Sequence, residues 1–374
     1  MSCLAISPST PVILASAILL CSCSAQEQPD DIAKQAGSAA DSARSDSLRR
    51  PAIPDTVFPH IRYQRLHISS RSFLDSLRRR FARSKPERDV DAYRILVTLN
   101  RKEFGYIRVG DTVIVPDTII DDMRAYSVFP TKYPGGASLP KLVVVSNKMQ
   151  AYACYEHGRL IRFAACNTGT ERKPTLPGRY ALNWRERLRI SSLNDNWKLP
   201  YTWNFHYHAG NAFHQFTMPG RPVSHSCIRQ FMTDAKWLFD WGQQARLNAD
   251  GRVIEFTGTP VIIVDIFDFT RPRYGPWIDL TSNRDGMIEL PADPMTVEEA
   301  LIPISQVPAG ARGGLPNRER YVKAEEILRS RGIIRPEVRL SPSINYNALR
   351  KAKEARAAAV RRRAAAAAAK PPEG

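Results

Sequence analysis

Apolar and polar positions alternate in two runs between Lys141 and Gly169, KLVVVSNKMQAYACY and LIRFAACNTG, on either side of EHGR. Period-two alternation predicts strands, and the glycine-containing pair between them predicts a hairpin centred on His157 and Gly158. In that register Cys154 opposes Ile161 and not Cys166. KPTLPGRYAL (173–182) leads into a further strand, and NDNWKLPYTWNFHYHAG (194–210) is a polar loop bearing two tryptophans. Those tryptophans, Trp197 and Trp203, either floor a cleft or only pack. TDAKWLFDWGQQARL (233–247) has helical spacing, with Trp237, Leu238 and Trp241 on one face and Thr233 as its N-cap. TPVIIVDIFDF (259–269) is rich in branched residues and predicts a central strand.

Upstream, Phe73, Leu74, Leu77 and Phe81 predict a helix over 72–84, and Tyr93, Ile95, Leu96, Leu99 and Phe104 a second. GDTVIVPD (110–117) is then a strand stopped at a proline. The pattern predicts a small α/β region over 57–130, a turn cluster KYPGG, and a mostly β domain over 138–270 with one helix after Cys227. An extension covers 271–330. The basic Ala/Arg-rich tail, 331–374, reads as disordered, since it offers no apolar face to bury. At the other end, 23–56 is Ser, Ala, Asp and Arg and reads as a flexible tether.

Composition sharpens this picture in two places. The 374 residues carry a formal charge of +17, with seven Lys/Arg against two Glu between Lys351 and Gly374. Such a surface suits an anionic partner. No finger spacing or ribonucleoprotein pattern points to nucleic acid. The apolar run PVILASAILLCSCSAQ (11–26) has the shape of a secretory signal. Leu20-Cys21-Ser22-Cys23 resembles a bacterial lipobox, which implies removal of 1–22, acylation of Cys23 and attachment to lipid. Ser24 after that cysteine favours the outer membrane, with the chain in the periplasm. Cys154, Cys166 and Cys227 then remain, an odd number, and no Cys/His spacing suits zinc.

Chemistry concentrates in HQFTMPGRPVSHSCIRQF (214–231). Cys227 is a useful nucleophile only as a thiolate, and imidazole is its natural base. His214 and His225 precede it closely. The elbow Ser224-His225-Ser226-Cys227 can offer the N–H groups of Ser226 and Cys227 to an oxyanion. SHSCIR resembles the SHGCIR signature of YkuD-type L,D-transpeptidases, and FHQFTMPGRPV resembles the lead-in to it. The hairpin, the TG step at Thr168-Gly169 and the PGRY step at 177–180 are similar to the family's opening. The likeness runs from about Lys141 to Asp268.

The resemblance implies a YkuD-like β-sandwich or β-rich catalytic domain and ping-pong acyl transfer on peptidoglycan stem peptides, with no cofactor and no metal. Cys227 is then the nucleophile, His214 the base and His225 its support. Ser226 supplies a backbone oxyanion donor. Arg229, Gln215, Ser224 and His208 face the substrate. His206 and His208 remain rivals for the base. Ser226 in the glycine position argues against a positive φ there, and Gln215 in another glycine position crowds the acceptor side. These two departures also leave room for a non-catalytic wall-binding lipoprotein, while water as acceptor would give an L,D-carboxypeptidase. Residues 91–119 are similar to the closing half of a LysM module, which implies glycan binding. A cysteine peptidase of the NlpC/P60 type is excluded, because no histidine follows Cys227.

Overall fold

The computed structural model describes residues 57–82, 91–271 and 275–368. The expected signal peptide, the acylated Cys23 and the tether lie outside the described residues, as do the last two residues of the first expected helix and the final residues of the tail.

The N-terminal module runs β1 (Tyr63–His67), α1 (Arg71–Arg80), α2 (Ala92–Leu99) and β2 (Thr112–Pro116). Its two strands pair antiparallel from Tyr63↔Pro116 to His67↔Thr112. Side chains start both helices: Ser70 Oγ accepts from the Phe73 N–H at 3.2 Å, and Asp91 Oδ1 from the Arg94 N–H at 2.7 Å. Leu74, Leu77 and Phe81 meet Leu96, Val97, Val113 and Val115 in a small core.

The main sheet comprises β3 (Leu142–Ser146), β4 (Ala151–Glu156), β5 (Arg159–Asn167), β6 (Gly178–Ala181), β7 (Arg185–Ile190), β8 (Lys198–His206), β9 (Asn211–Gln215), β10 (Ile228–Gln230) and β11 (Pro260–Ile263). These strands hydrogen-bond in the order β6-β11-β3-β4-β5-β10-β9-β8-β7. Pairs β9–β10 and β3–β11 are parallel. The segment that carries this sheet, 138–270, is mostly β with one helix after Cys227, as expected.

Strand parity divides the core into two layers. Val143, Val145, Tyr152, Cys154, Ala164 and Cys166 face one side. Leu142, Val144, Ala151, Ala153, Tyr155 and Phe163 face the other. The first face is covered by α3 (Met232–Trp241), through Leu238, Phe239 and Trp241, and by residues far downstream. Leu301, Ile302, Val307, Leu315, Ile334, Val338 and Leu340 all enter that layer, with Ala324 and Leu328 of α4 (Arg318–Ser330). The second face is covered by Ile61, Ile95, Tyr126 and Phe129 from upstream and by Trp277, Ile278 and Leu280. With both faces buried, β3 is apolar at every position but its last.

A buried carboxylate joins the parts. Asp234 Oδ1 accepts from Arg94 Nη2 of α2 at 2.6 Å and from Arg162 Nε of β5 at 2.9 Å. Arg162 also lies over the Trp237 ring, 4.7 Å from its centroid.

Several sequence expectations need correction. The hairpin turns at His157 and Gly158, both at positive φ, which is the geometry of a two-residue hairpin loop. However, a bulge between Cys154 and Tyr155 sets Cys154 opposite Arg162, not Ile161. The helix after Cys227 starts at Met232, with Phe231 as an N-cap that makes no side-chain bond, so Thr233 does not cap it. It stops before Gly242, whose Cβ would meet Leu182 and Trp203. Strand β11 ends at Ile263, six residues earlier than the apolar pattern suggested. The tail is not disordered over its described part. Tyr346–Ala368 form α5, with the Asn345 carboxamide accepting from the Ala348 N–H at 2.9 Å. Alanine-rich sequence supplies the propensity, and docking of its first turn supplies the nucleus that pattern alone did not reveal.

Candidate active site

The elbow Ser224–Cys227 enters between β5 and β9, just before β10. Its shape is held from three sides. The Val223 and Ser224 N–H groups donate to Thr168 O at 2.9 and 3.0 Å, and the Thr170 N–H donates to Ser224 O at 3.1 Å. Thr175 Oγ1 accepts from the Gly169 N–H at 2.8 Å and donates to Ser226 O at 3.0 Å. A Cβ on Gly169 would lie 2.1 Å from Lys173 O, so only glycine permits this close approach. Ser224 Oγ donates to Cys227 O, closing the turn on itself.

Ser226 has φ +80°, contrary to the expectation that serine there would relax the backbone. Its hydroxyl sits within reach of two acceptors, Asn211 Oδ1 at 2.8 Å and the carbonyl of His225. Local side-chain bonding of this kind offsets the cost of a left-handed residue bearing a Cβ.

Parallel pairing of β9 with β10 puts His214 and Cys227 on the wall of one cavity. Ile228 pairs with Phe213 and Arg229 with His214. The backbone of Ala212, beside Phe213 of that pair, opposes the rise that burial gives the Cys227 thiol. Ala212, His214 and Phe216 line a cavity of about 200 Å³ together with Ser224, His225, Ser226, Cys227 and Arg229. The alternate residue Phe213 packs in the core. Gln215 does not line the cavity, by the same parity. His208 is also outside it, with Nε2 3.2 Å from Glu255 Oε1. The rival His206 accepts from the Ala209 N–H through Nδ1 at 3.1 Å and likewise does not line the cavity.

His214 is buried, and its Nδ1 donates to Gln215 O at 3.0 Å. That tautomer leaves Nε2 as a proton acceptor. Burial lowers its pKa to about 4, against the opposing effect of the Gln215 carbonyl, and Arg229 lowers it further. Burial pushes the Cys227 thiol up, while the Ala212 backbone and Arg229 pull it down. The resting pair is therefore neutral thiol and neutral imidazole. Cys154 and Cys166 are fully buried free thiols, and burial raises both well above the ordinary range. Neither is placed for chemistry.

Arg229 lies over the Phe216 ring at 4.6 Å and donates to Thr217 O at 3.2 Å. Lys173 and Arg189 also line the cavity, and among the described residues no carboxylate does. Of the two tryptophans, Trp203 is fully buried in the core, while Trp197 lines the cavity with its ring 5.2 Å from that of His225. His225 Nε2 lies 3.1 Å from the Tyr346 hydroxyl. Burial, then Lys173 and Arg229, lower the His225 pKa to about 4. Sequence reasoning missed Lys173, Thr175, Asn211 and Tyr346. The first two lie within the KPTLPG stretch itself, 173–178. Tyr346 carried no signal, being 121 residues from its partner. Among the described residues no group of His, Cys, Asp and Glu could hold a metal ion.

Residues 140–263 match the family model for the YkuD L,D-transpeptidase catalytic domain. Solved structures with a similar fold include an L,D-transpeptidase from Stackebrandtia nassauensis, 23% identical over 35% of this chain and 58% of that one, with a TM-score of 0.29. L,D-transpeptidase 1 of Mycobacterium tuberculosis is 20% identical over 33% and 61%, with a TM-score of 0.25. An L,D-transpeptidase from Xylanimonas cellulosilytica is 21% identical over 57% and 100%, with a TM-score of 0.32. The chain thus spans about three fifths of the first two. No curated protein matches it. Within this chain, residues 140–263 are thus similar to the YkuD family of L,D-transpeptidase catalytic domains.

Proposed function

We propose that the protein is a peptidoglycan L,D-transpeptidase with Cys227 as nucleophile and His214 as base. The observation that carries the reading is the pairing of β9 with β10. It sets His214, its Nδ1 occupied by Gln215 O, and Cys227 on the wall of one cavity. His214 Nε2 takes the thiol proton as the sulfur attacks the carbonyl that precedes the terminal D-alanine of a stem tetrapeptide. The N–H groups of Ser226 and Cys227 receive the oxyanion, and the positive φ at Ser226 favours their convergence. As the C–N bond breaks, the proton passes from His214 to the departing amine of D-alanine. An acceptor amine, from a second stem or a protein lysine, then attacks the thioester, loses its proton to His214, and the thiol is restored.

Lys173, Arg189 and Arg229 around the cavity suit a donor that carries several carboxylates. The two substitutions that left room for a non-catalytic domain do not favour it here. Ser226 adopts the positive φ, and Gln215 stays out of the cavity. Water as acceptor uses the same thioester and gives L,D-carboxypeptidase activity. We place the chain in the periplasm on an acylated Cys23, on the strength of the lipobox-like Leu20–Cys23. The β-α-α-β order of residues 63–116 supports a LysM-like, glycan-binding role for the N-terminal module.

The test is incubation of the full chain with tetrapeptide-rich sacculi. D-alanine release, with 3–3 cross-links or tripeptides, is expected from the wild type and not from Cys227→Ala. Either product made by Cys227→Ala would remove Cys227 from its role. A carbapenem should also leave a covalent adduct on Cys227.

A further inference from the structure

One wall of the catalytic cavity comes from outside the family domain. After Leu340, which is buried in the core, the chain turns back over the sheet as a strap. The Ser341 N–H donates to Arg172 O at 2.8 Å, the Ser343 N–H donates to Ser305 O at 2.9 Å, and Gln306 Nε2 donates to Ser341 O at 2.7 Å. Ser343, Gln306 and Pro308 line the cavity that holds Cys227. The strap then starts α5 beside the loop that follows β7. There the Asn347 N–H donates to Leu193 O at 3.1 Å, the Asp195 N–H to Asn347 Oδ1 at 2.9 Å, and Arg350 Nη2 to Asp195 Oδ2 at 2.6 Å.

Tyr346 sits at the centre of this latch. Its hydroxyl is 3.1 Å from His225 Nε2, and its ring is 5.4 Å from that of Trp197, which in turn is 5.2 Å from His225. Lys173 Nζ lies 5.7 Å from the same ring. Three cavity residues, Lys173, Trp197 and His225, thus meet one side chain that is not itself in the cavity wall. The latch is polar and partly exposed, and such pairs contribute little to stability. It can hold a wall in place without fixing the fold.

We infer that Tyr346 is a positioning residue for the catalytic cavity: through its contacts with His225, Trp197 and Lys173, the C-terminal strap sets the wall that the stem peptide meets. The inference rests on the transpeptidase reading for what the wall recognises, but one arm of its test does not. That arm is alkylation of Cys227 by iodoacetamide on the native full chain, mapped by peptide mass. Tyr346→Ala removes the ring and should speed alkylation of Cys227 several-fold, with Cys154 and Cys166 unlabelled. Tyr346→Phe keeps the ring and should label at the wild-type rate.

In the second arm, D-alanine release from a stem tetrapeptide, Tyr346→Phe should raise KM about three- to tenfold, the worth of one lost hydrogen bond. Tyr346→Ala should raise it further, with kcat little changed in both. A purely structural tyrosine would lower the melting temperature and leave the KM of the folded enzyme alone. An unchanged alkylation rate in Tyr346→Ala, or an unchanged KM in both variants, overturns the inference. If the wild type releases no D-alanine, the transpeptidase reading fails and alkylation alone decides. If Tyr346→Ala exposes Cys154 and Cys166, it has lost its fold, and the KM of Tyr346→Phe decides.

Discussion

At the residue scale, the neutral resting pair determines the pH behaviour. On the proposed mechanism His214 must be unprotonated to take the Cys227 proton, and burial holds its pKa near 4. D-alanine release should therefore persist from neutral pH down to about 5 and fall as the pH passes through 4. A fall centred near 6.5 would mean that an exposed histidine is the base. The same shift has a stability consequence of known sign. His206 and His214 both have folded values near 4, below the ordinary 6.5. Between those values the unfolded chain binds more protons, so stability is full above 6.5 and declines as pH falls toward 4. Each proton contributes a slope of about 1.4 kcal/mol per pH unit at most. Thermal melts across that range should show the loss. Ser226→Gly tests the elbow. Glycine relieves a positive φ that costs roughly 1 kcal/mol, and it loses the bond to Asn211, worth about as much. Stability and carbapenem acylation should stay near wild type.

Elements were legible in the sequence wherever a local pattern sufficed. Strands β3 to β5 and the His157–Gly158 turn follow from alternation and turn chemistry, and the SHSCIR stretch follows from its residue types. Parity on β9 is what separates His214, on the cavity wall, from Gln215. The bulge at Cys154 leaves no mark on the hydrophobic pattern, so the register there was one residue off. The polar face of α5 concealed its docking, because a latch of hydrogen bonds and one tyrosine does not produce periodicity. Long-range charge pairing was equally invisible. Asp234 of α3 accepts from Arg94 of α2 and Arg162 of β5, three elements that only the fold brings together. Asp234→Ala would leave two guanidinium groups close together in a buried site. The expected loss is about 3–5 kcal/mol, read by urea unfolding. A loss below 1 kcal/mol would show that water replaces the carboxylate.

For the whole molecule, the matched family segment is too small to be its own folding unit. Residues 140–263 contain the sheet, the elbow and α3, which covers part of one face, but not the rest of that cover or the cover of the other face. On one side Leu301, Ile302, Val307, Leu315, Leu328, Ile334, Val338 and Leu340 complete the layer. On the other, Trp277, Ile278 and Leu280 join Ile61, Ile95, Tyr126 and Phe129 from the N-terminal module. Each such side chain contributes roughly 1.5–3 kcal/mol by burial, against a total stability of only about 5–15 kcal/mol for a domain. Removing more than a dozen of them exceeds that margin several times over. A fragment of residues 138–270 should therefore be insoluble or bind ANS strongly, whereas one of residues 57–345 should unfold cooperatively. Within the full chain, Leu328→Ala, far from the elbow, should cost about 2–5 kcal/mol. If the short fragment instead melts cooperatively and reacts with a carbapenem, the flanking segments are accessories. The C-terminal region would then reach the site only locally, through Gln306, Pro308 and Ser343 on the cavity wall and the latch at Tyr346.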